Sequence, residues 1–305
     1  MAMRTFFELV KHRGDRLARH PPPPPPDLAC PAQIEEGAVL VADLVEHYET
    51  SLVTSSTGGS SSIAPGTTTG ATTETTTKER RKGSEEEEID PTDVDAVLAA
   101  VLDPLVAAIQ RSSEALNPNA SNRLDDGSHM DPSDQHIFMV NCLCELQRPL
   151  LGHPCAVPRL HMLRETMDAE ISKLVNGAVS QILTACGLAE VLERLRLYER
   201  SHAVASASDS STPAADPALS LSRVVEAMRM FFGRLSDPEA LPEFRKLREP
   251  VARGEAVQQA LAALAAAYAQ VYGALMDPQN GYSAGEVGHA VKHTPNQVKT
   301  LLGVQ

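Results

Sequence analysis

Six residues with the chemistry of metal ligands, His136, Cys142, Cys144, His153, Cys155 and His161, fall within one short stretch of this 305-residue chain. Thiolate and imidazole are the usual donors for zinc, which takes four of them in a tetrahedron. The spacing opposes that reading. Cys142 and Cys144 lie two apart in a segment of helical periodicity, about 200° around the axis, so one ion cannot hold both without unwinding the helix. The plainer role is that of small, buried apolar side chains. Other catalytic groupings are missing too: there is no G-x-S-x-G elbow, no H-E-x-x-H and no glycine-rich phosphate loop followed by lysine. Glu165, Glu170, Glu190 and Glu193 read as solvated faces of amphipathic helices rather than as acid/base pairs. The residues point to no metal, no cofactor and no catalytic site, with a helical enzyme as the weaker alternative.

Composition narrows the classes further. The chain carries 27 Lys+Arg against 40 Asp+Glu, a net charge of -13, which opposes broad contact with nucleic acid or anionic lipid. Aromatic residues make up 4% with no Trp, and the Ala, Leu and Val that dominate favour helices over sheets. The expected class is all-α. Cys30, Cys142, Cys144, Cys155 and Cys186 are odd in number and scattered, which suits a reducing compartment. The N-terminus does not read as a signal peptide, and no apolar run approaches the roughly twenty residues needed to cross a bilayer. Any membrane association is therefore expected to be peripheral.

The elements that would position these side chains follow from apolar spacing and helix punctuation. Residues 1–53 read as a helical hairpin: Phe6, Phe7, Leu9, Val10 and Leu17 on one helix, and Ile34, Val39, Val41, Leu44, Val45, Tyr48 and Leu52 on the other. Pro21 to Pro26 would join them as a stiff polyproline spacer or serve as a ligand for a proline-binding domain. Residues 54–89 are Ser/Thr/Glu-rich with almost nothing apolar, and are expected to be a disordered insert. Its Lys78-Glu79-Arg80-Arg81-Lys82 cluster is followed at once by Glu85 to Glu88, which cancel most of its field.

Residues 90–200 form the next expected bundle. Asp90-Pro91 marks a helix start, and Asp103-Pro104 predicts a kink or second start. Asp131-Pro132 begins a helix with Ile137, Phe138, Val140, Leu143 and Leu146, and a long helix from Leu160 to Ile182 stops near Gly187. A flexible linker is expected over 201–217, then a C-terminal bundle over 218–305. There Val257, Leu261, Leu264, Tyr268, Val271 and Leu275 repeat at steps of four and three, the seam of a packed central helix. Met276-Asp277-Pro278 stops that helix. Ser283-Ala284-Gly285-Glu286 and Thr294-Pro295-Asn296-Gln297 both read as capping boxes, so two short helices close the chain. The last carries Val298, Leu301 and Leu302, expected to pack back on Tyr268 and Val271.

Several of these stretches, in this order, resemble the family of subunit 6 of the conserved oligomeric Golgi complex. They are Arg13-Gly14-Asp15-Arg16-Leu17, Val101-Leu102-Asp103-Pro104-Leu105, Phe138-Met139-Val140-Asn141, Gly187-Leu188, Val271-Tyr272, Asp277-Pro278 and Pro295 through Leu302. The likeness is to the C-terminal part of longer family members. It implies consecutive helical bundles stacked as a rod, without cofactor or catalytic residues. It also implies a non-enzymatic vesicle-tethering role in intra-Golgi retrograde transport, on the cytosolic face of Golgi membranes. Sister subunits of the complex, with SNARE and Rab-type proteins, would be the partners. The positions it marks as structural are Asp103, Pro104, Asn141, Gly187, Tyr272, Pro278, Pro295, Val298, Leu301 and Leu302. The competing reading is a helical adaptor outside the Golgi, recruited through its proline run or basic cluster.

Overall fold

Helix-favouring composition becomes nine α-helices with short 3-10 turns between them, and no strand, among the described residues. A computed structural model describes residues 9, 12–17, 19–57, 94–117, 131–204, 212–237 and 240–304. Phe6, Phe7, Val10, the Asp90-Pro91 start, residues 118–130, residues 58–89 of the expected insert and residues 205–211 of the expected linker lie outside them. The helices are α1 (Ala32–Thr57), α2 (Val94–Glu114), α3 (Pro132–Gln147), α4 (Val157–Ala185), α5 (Leu188–Val204), α6 (Leu221–Leu235), α7 (Pro250–Met276), α8 (Ala284–Ala290) and α9 (Pro295–Leu301). The chain divides into two compact units: Met1–Pro22, Pro31–Arg111 and Glu145–Arg164 in the first, and Pro23–Cys30, Ser112–Cys144 and Glu165–Gln305 in the second.

In the first unit, α1 buries Ile34, Ala38, Val41 and Val45 at helical spacing. Val39, expected on that stripe, is 61% exposed instead, because it falls on the opposite side of the turn from Val41. The helix runs past its expected end near Leu52 to Thr57. Pro104 lies inside a continuous α2, so it does not mark the second helix start that was one of the two expectations for it. Leu98, Val101, Leu102, Leu105, Ala108 and Ile109 are buried on both sides of it, and packing of that face outweighs the roughly 3 kcal/mol a helix-interior proline costs. Two glycines let neighbours approach α2: a Cβ on Gly14 would lie 2.6 Å from Pro104 Cβ, and one on Gly37 would lie 2.6 Å from Leu105 Cδ2. Arg159 clamps α2 by a bidentate pair, with its Nε and Nη2 each 2.9 Å from Asp95 carboxylate oxygens.

In the second unit, Gly187 adopts φ 80, the left-handed turn that ends α4, and the chain bends by 96° into α5. One core then joins Ile182, Leu188 and Leu192 with Leu219, Val224, Phe231, Leu264, Tyr268, Val271, Val287 and Val298. Packing therefore runs across 201–217, where the sequence suggested a linker between bundles; 3-10 turns at Pro213–Ala215 and Pro217–Leu219 occupy part of it. Asp216 caps the second turn, accepting from the Ala218 amide at 2.8 Å, but the α-helix itself starts only at Leu221.

Helix α7 is the centre of this core, and two readings of it change. Leu264, Tyr268, Val271 and Leu275 are buried as the seam requires, yet in its first half Ala252, Ala256 and Ala260 are buried while Val257 and Leu261 stay partly exposed. Small residues win there because they let neighbouring backbone approach closely. The helix is also long and apolar enough to cross a membrane by length and composition, which corrects the expectation that no run reached that length. Its start was not legible: Glu249 caps it, accepting from the amides of Val251 and Ala252, with Pro250 in the first turn.

Candidate functional site

The candidate metal ligands do not converge. Cys142 is fully buried among apolar side chains, Cys144 lies 3.5 Å from Met167 Sδ, and His136 Nδ1 pairs with Glu170 at 2.7 Å. That imidazole, then Lys173, hold the Glu170 carboxyl below its usual range against the effect of burial. Elsewhere, Cys155 Sγ is 3.9 Å from Glu49 Oε1, and His153 Nδ1 is 3.0 Å from Glu49 Oε2 in a geometry that makes no hydrogen bond. Burial and the Glu49 charge push the Cys155 thiol up, the opposite of what a nucleophilic thiolate needs. No group of three His, Cys, Asp or Glu that could hold a metal exists among the described residues.

The positions that the resemblance marked fall at several separate places. Asp103 lies 3.4 Å from Arg159, beside Pro104 and its Gly14 contact, all in the first unit. Asn141, on α3 in the second unit, is only 3% exposed and uses its whole amide. Its Nδ2 donates to the Leu28 carbonyl at 2.9 Å and to the Lys246 carbonyl at 3.1 Å, and its Oδ1 accepts from the Arg248 amide at 2.9 Å. Helix α3 thereby pins two irregular segments, residues 27–30 and 246–248, neither of which has a ladder of its own. Leu28 is the described non-glycine residue with positive φ, at 55, a conformation that costs about 1–2 kcal/mol in a leucine. The Asn141 bond to its carbonyl helps hold it there. Arg248 also reaches Asp27 at 2.5 Å.

The other marked positions cluster at the chain's end. Tyr268 donates to the His293 carbonyl at 2.6 Å, and its ring lies 5.9 Å from Phe231, 5.5 Å from Phe232 and 6.4 Å from Tyr272. Burial pushes its phenol up to about 12. Tyr282 donates to the Leu219 carbonyl at 2.7 Å, and Asp277 caps the turn at Pro278 by accepting from the Gln279 amide. The Thr294 box forms in both directions, with Pro295 at the first helical position. The Ser283 box does not: Ser283 makes no side-chain bond at the start of α8, a helix of 7 residues. Val298 is buried and Leu302 partly buried in the core that holds Tyr268 and Val271, whereas Leu301 is 66% exposed at the last residue of a helix too short to bury more than part of its circumference.

Two concavities lie in the second unit. One, of about 700 Å3, runs between α5 and α7 past Arg196, Tyr198, Gln270, Gly273 and Asp277. The other, of about 500 Å3, is walled by the start of α3, an exposed face of α4, and Glu243 from the 3-10 turn Pro242–Lys246. Glu243 is 8% exposed, and burial pushes its carboxyl up. Sequence reasoning passed over this residue, since a lone glutamate just after a proline carries no periodic signal.

Comparison with known proteins gives one consistent result. A family model described as conserved oligomeric Golgi complex subunit 6, C-terminal, matches residues 1–302. Curated relatives of that name include the one from Arabidopsis thaliana, 28% identical over 327 residues, covering 99% of this chain and 42% of the relative. The Rattus norvegicus relative is 28% identical over 212 residues, covering 69% and 29%, and one from Cryptococcus neoformans is 24% identical over 305 residues, covering 98% and 34%. The chain spans less than half the length of these relatives. No solved structure matches. A family model matching nearly every residue, on an all-helical chain, supports one conclusion: the chain belongs to the family of conserved oligomeric Golgi complex subunit 6, over that family's C-terminal part.

Proposed function

We propose that this chain is a non-enzymatic part of a Golgi vesicle-tethering complex, acting in intra-Golgi retrograde transport through its helical surfaces. The observation that carries the reading is the family match along residues 1–302. Other subunits of the same complex are the partners expected first, with SNARE and Rab-type proteins as further ones, bound along exposed helix faces or grooves. In this reading Asp103, Pro104, Asn141, Gly187, Tyr272, Pro278, Pro295, Val298, Leu301 and Leu302 are structural positions that support the helical surfaces rather than perform chemistry. Leu301 is exposed and so available to a partner, as are Asp103, Gly187 and Pro278 of the same set.

Association with the Golgi is read as peripheral and cytosolic. Helix α7 has the length and composition of a membrane span, but its Leu264, Tyr268, Val271 and Leu275 are committed to a core with α5, α6 and α9. Insertion would forfeit that packing. The test is imaging of the tagged chain against a Golgi marker, followed by alkaline carbonate extraction of membranes. Release into the supernatant is expected; retention in the membrane pellet, or absence from the Golgi, would overturn this reading of location.

A further inference from the structure

The 500 Å3 concavity of the second unit is lined by a buried carboxylate, Glu243, that makes no ion pair among the described residues. Around it, Lys246 is 2.5 Å from Asp134 and 3.9 Å from Asp131, and Lys173 and His136 are both held by Glu170. Each of these cations already has a carboxylate. Glu243, buried to all but 8% of its surface, accepts from its own backbone amide and forms no ion pair among the described residues; Asp131 repels its charge and Lys246, already paired with Asp134, attracts it less strongly. In the same wall, Ser133 Oγ is buried with no hydrogen-bond partner among the described residues. Buried polar groups left open in this way cost stability, and a ligand that supplies the missing donor recovers it.

The rest of the wall says what form that donor takes. Along α4, Lys173, Gly177, Ser180, Gln181 and Thr184 follow one another at helical steps of four, three, one and three, so they share a face, and all five are exposed. A Cβ placed on Gly177 would meet nothing within 4 Å, so the close space above the backbone is open. Small side chains at Gly177, Ser180 and Thr184 give a second helix room to lie near α4. Leu174 and Ala178 are buried at the floor and offer an apolar bed for an aliphatic stem. The chain's net charge of -13 favours a basic visitor over an acidic one.

We infer that this concavity receives one lysine or arginine side chain from a partner helix laid along the exposed face of α4, its cationic head donating to Glu243 and Ser133. The inference deepens the reading of helical faces as recognition surfaces and rests on it for the partner being a protein. Its test, however, uses a designed probe and no cellular partner. Two fluorescent, Ala/Gln-rich helical peptides, identical except for a central lysine or norleucine, are titrated by anisotropy against the full chain.

The lysine peptide is expected to bind at least about ten-fold more tightly, one decade being about 1.4 kcal/mol. Glu243→Gln should erase that preference without changing the norleucine affinity, and Gly177→Leu should weaken both peptides by filling the open space. Circular dichroism of each variant establishes that it is folded; should Glu243→Gln fail there, Ser133→Ala serves as the second variant and is expected to reduce the preference. Equal binding of the two peptides would overturn the inference, as would an unchanged preference in the variants. Displacement of the lysine peptide by n-butylamine alone would reassign the site to a small amine, and Gly177-dependent self-association in sedimentation would reassign the face to a second copy of this chain. Failure of either kind leaves capture of Golgi-tether subunits unaffected, so the two readings fail separately.

Discussion

Replacing Asn141 with alanine should be among the most damaging single changes in the second unit. The substitution removes three hydrogen bonds, to the Leu28 and Lys246 carbonyls and from the Arg248 amide, at 2.9, 3.1 and 2.9 Å. A buried polar group left unsatisfied costs about 1–3 kcal/mol. Water can reach the segment at Lys246 and Arg248, both exposed, but Leu28 is 5% exposed. Taking the low end for the first two and the middle for the third gives a loss of about 4 kcal/mol. Released from Asn141, the strained Leu28 backbone at φ 55 would relax, which lowers the net loss to about 3 kcal/mol. For a unit of this size that corresponds to roughly 6–12 °C in Tm. Urea unfolding followed by far-ultraviolet circular dichroism gives the change in midpoint, provided the slope is unchanged. Asn141→Asp discriminates the mechanism, because it keeps the acceptor for Arg248 but turns a carboxylate toward two carbonyls. It should destabilise at least as much as alanine. A loss below about 0.5 kcal/mol for alanine, the level of an ordinary surface change, or an aspartate variant as stable as the parent, would refute the clamp.

Three further outcomes follow from the same geometry. Glu243 has its carboxyl pushed up from 4.5 by burial, so the folded state holds that proton more tightly than the unfolded one, and stability is lost as pH rises from 4.5 through the raised value. Glu243→Gln should therefore raise Tm at about pH 8 relative to the parent and give no such gain below about pH 4.5; thermal melts across that range that run parallel would contradict it. Thr294→Ala should cost about 1 kcal/mol by removing a formed capping box, whereas Ser283→Ala, at a helix start with no side-chain bond, should change the urea midpoint by less than half as much. Tyr268→Phe strands the His293 carbonyl and should cost about 1–2 kcal/mol, with increased hydrogen exchange confined to α8, α9 and the turn between them; uniform exchange across the unit would speak against that tie.

Much of the fold was legible because it rests on patterns that act locally. The seam Leu264, Tyr268, Val271 and Leu275, the stops at Gly187 and Asp277-Pro278, and the Thr294 box all follow from spacing or backbone chemistry within one turn. The misreadings occur where a distant partner decides. Pro104 stays inside α2 because the helix is buried on both sides of it, and Ala252, Ala256 and Ala260 displace Val257 and Leu261 because of what approaches α7. Ser283 has the composition of a cap without the bond, and Leu301 has the composition of a core residue on a helix too short to bury it. At the candidate sites, Asn141 stood out only through a resemblance. Its three partners lie more than a hundred positions away in sequence, and no local rule reports that. Glu243 could not be found at all, since the residues of α3 and α4 that share its concavity lie far from it in sequence.

The central claim, that this chain works as part of a Golgi tethering complex, is tested most directly by affinity capture of the tagged chain from cells, with the co-purifying proteins identified by mass spectrometry. The account predicts recovery of other subunits of the conserved oligomeric Golgi complex above an untagged control. Capture of a folded chain that brings down none of them would contradict it.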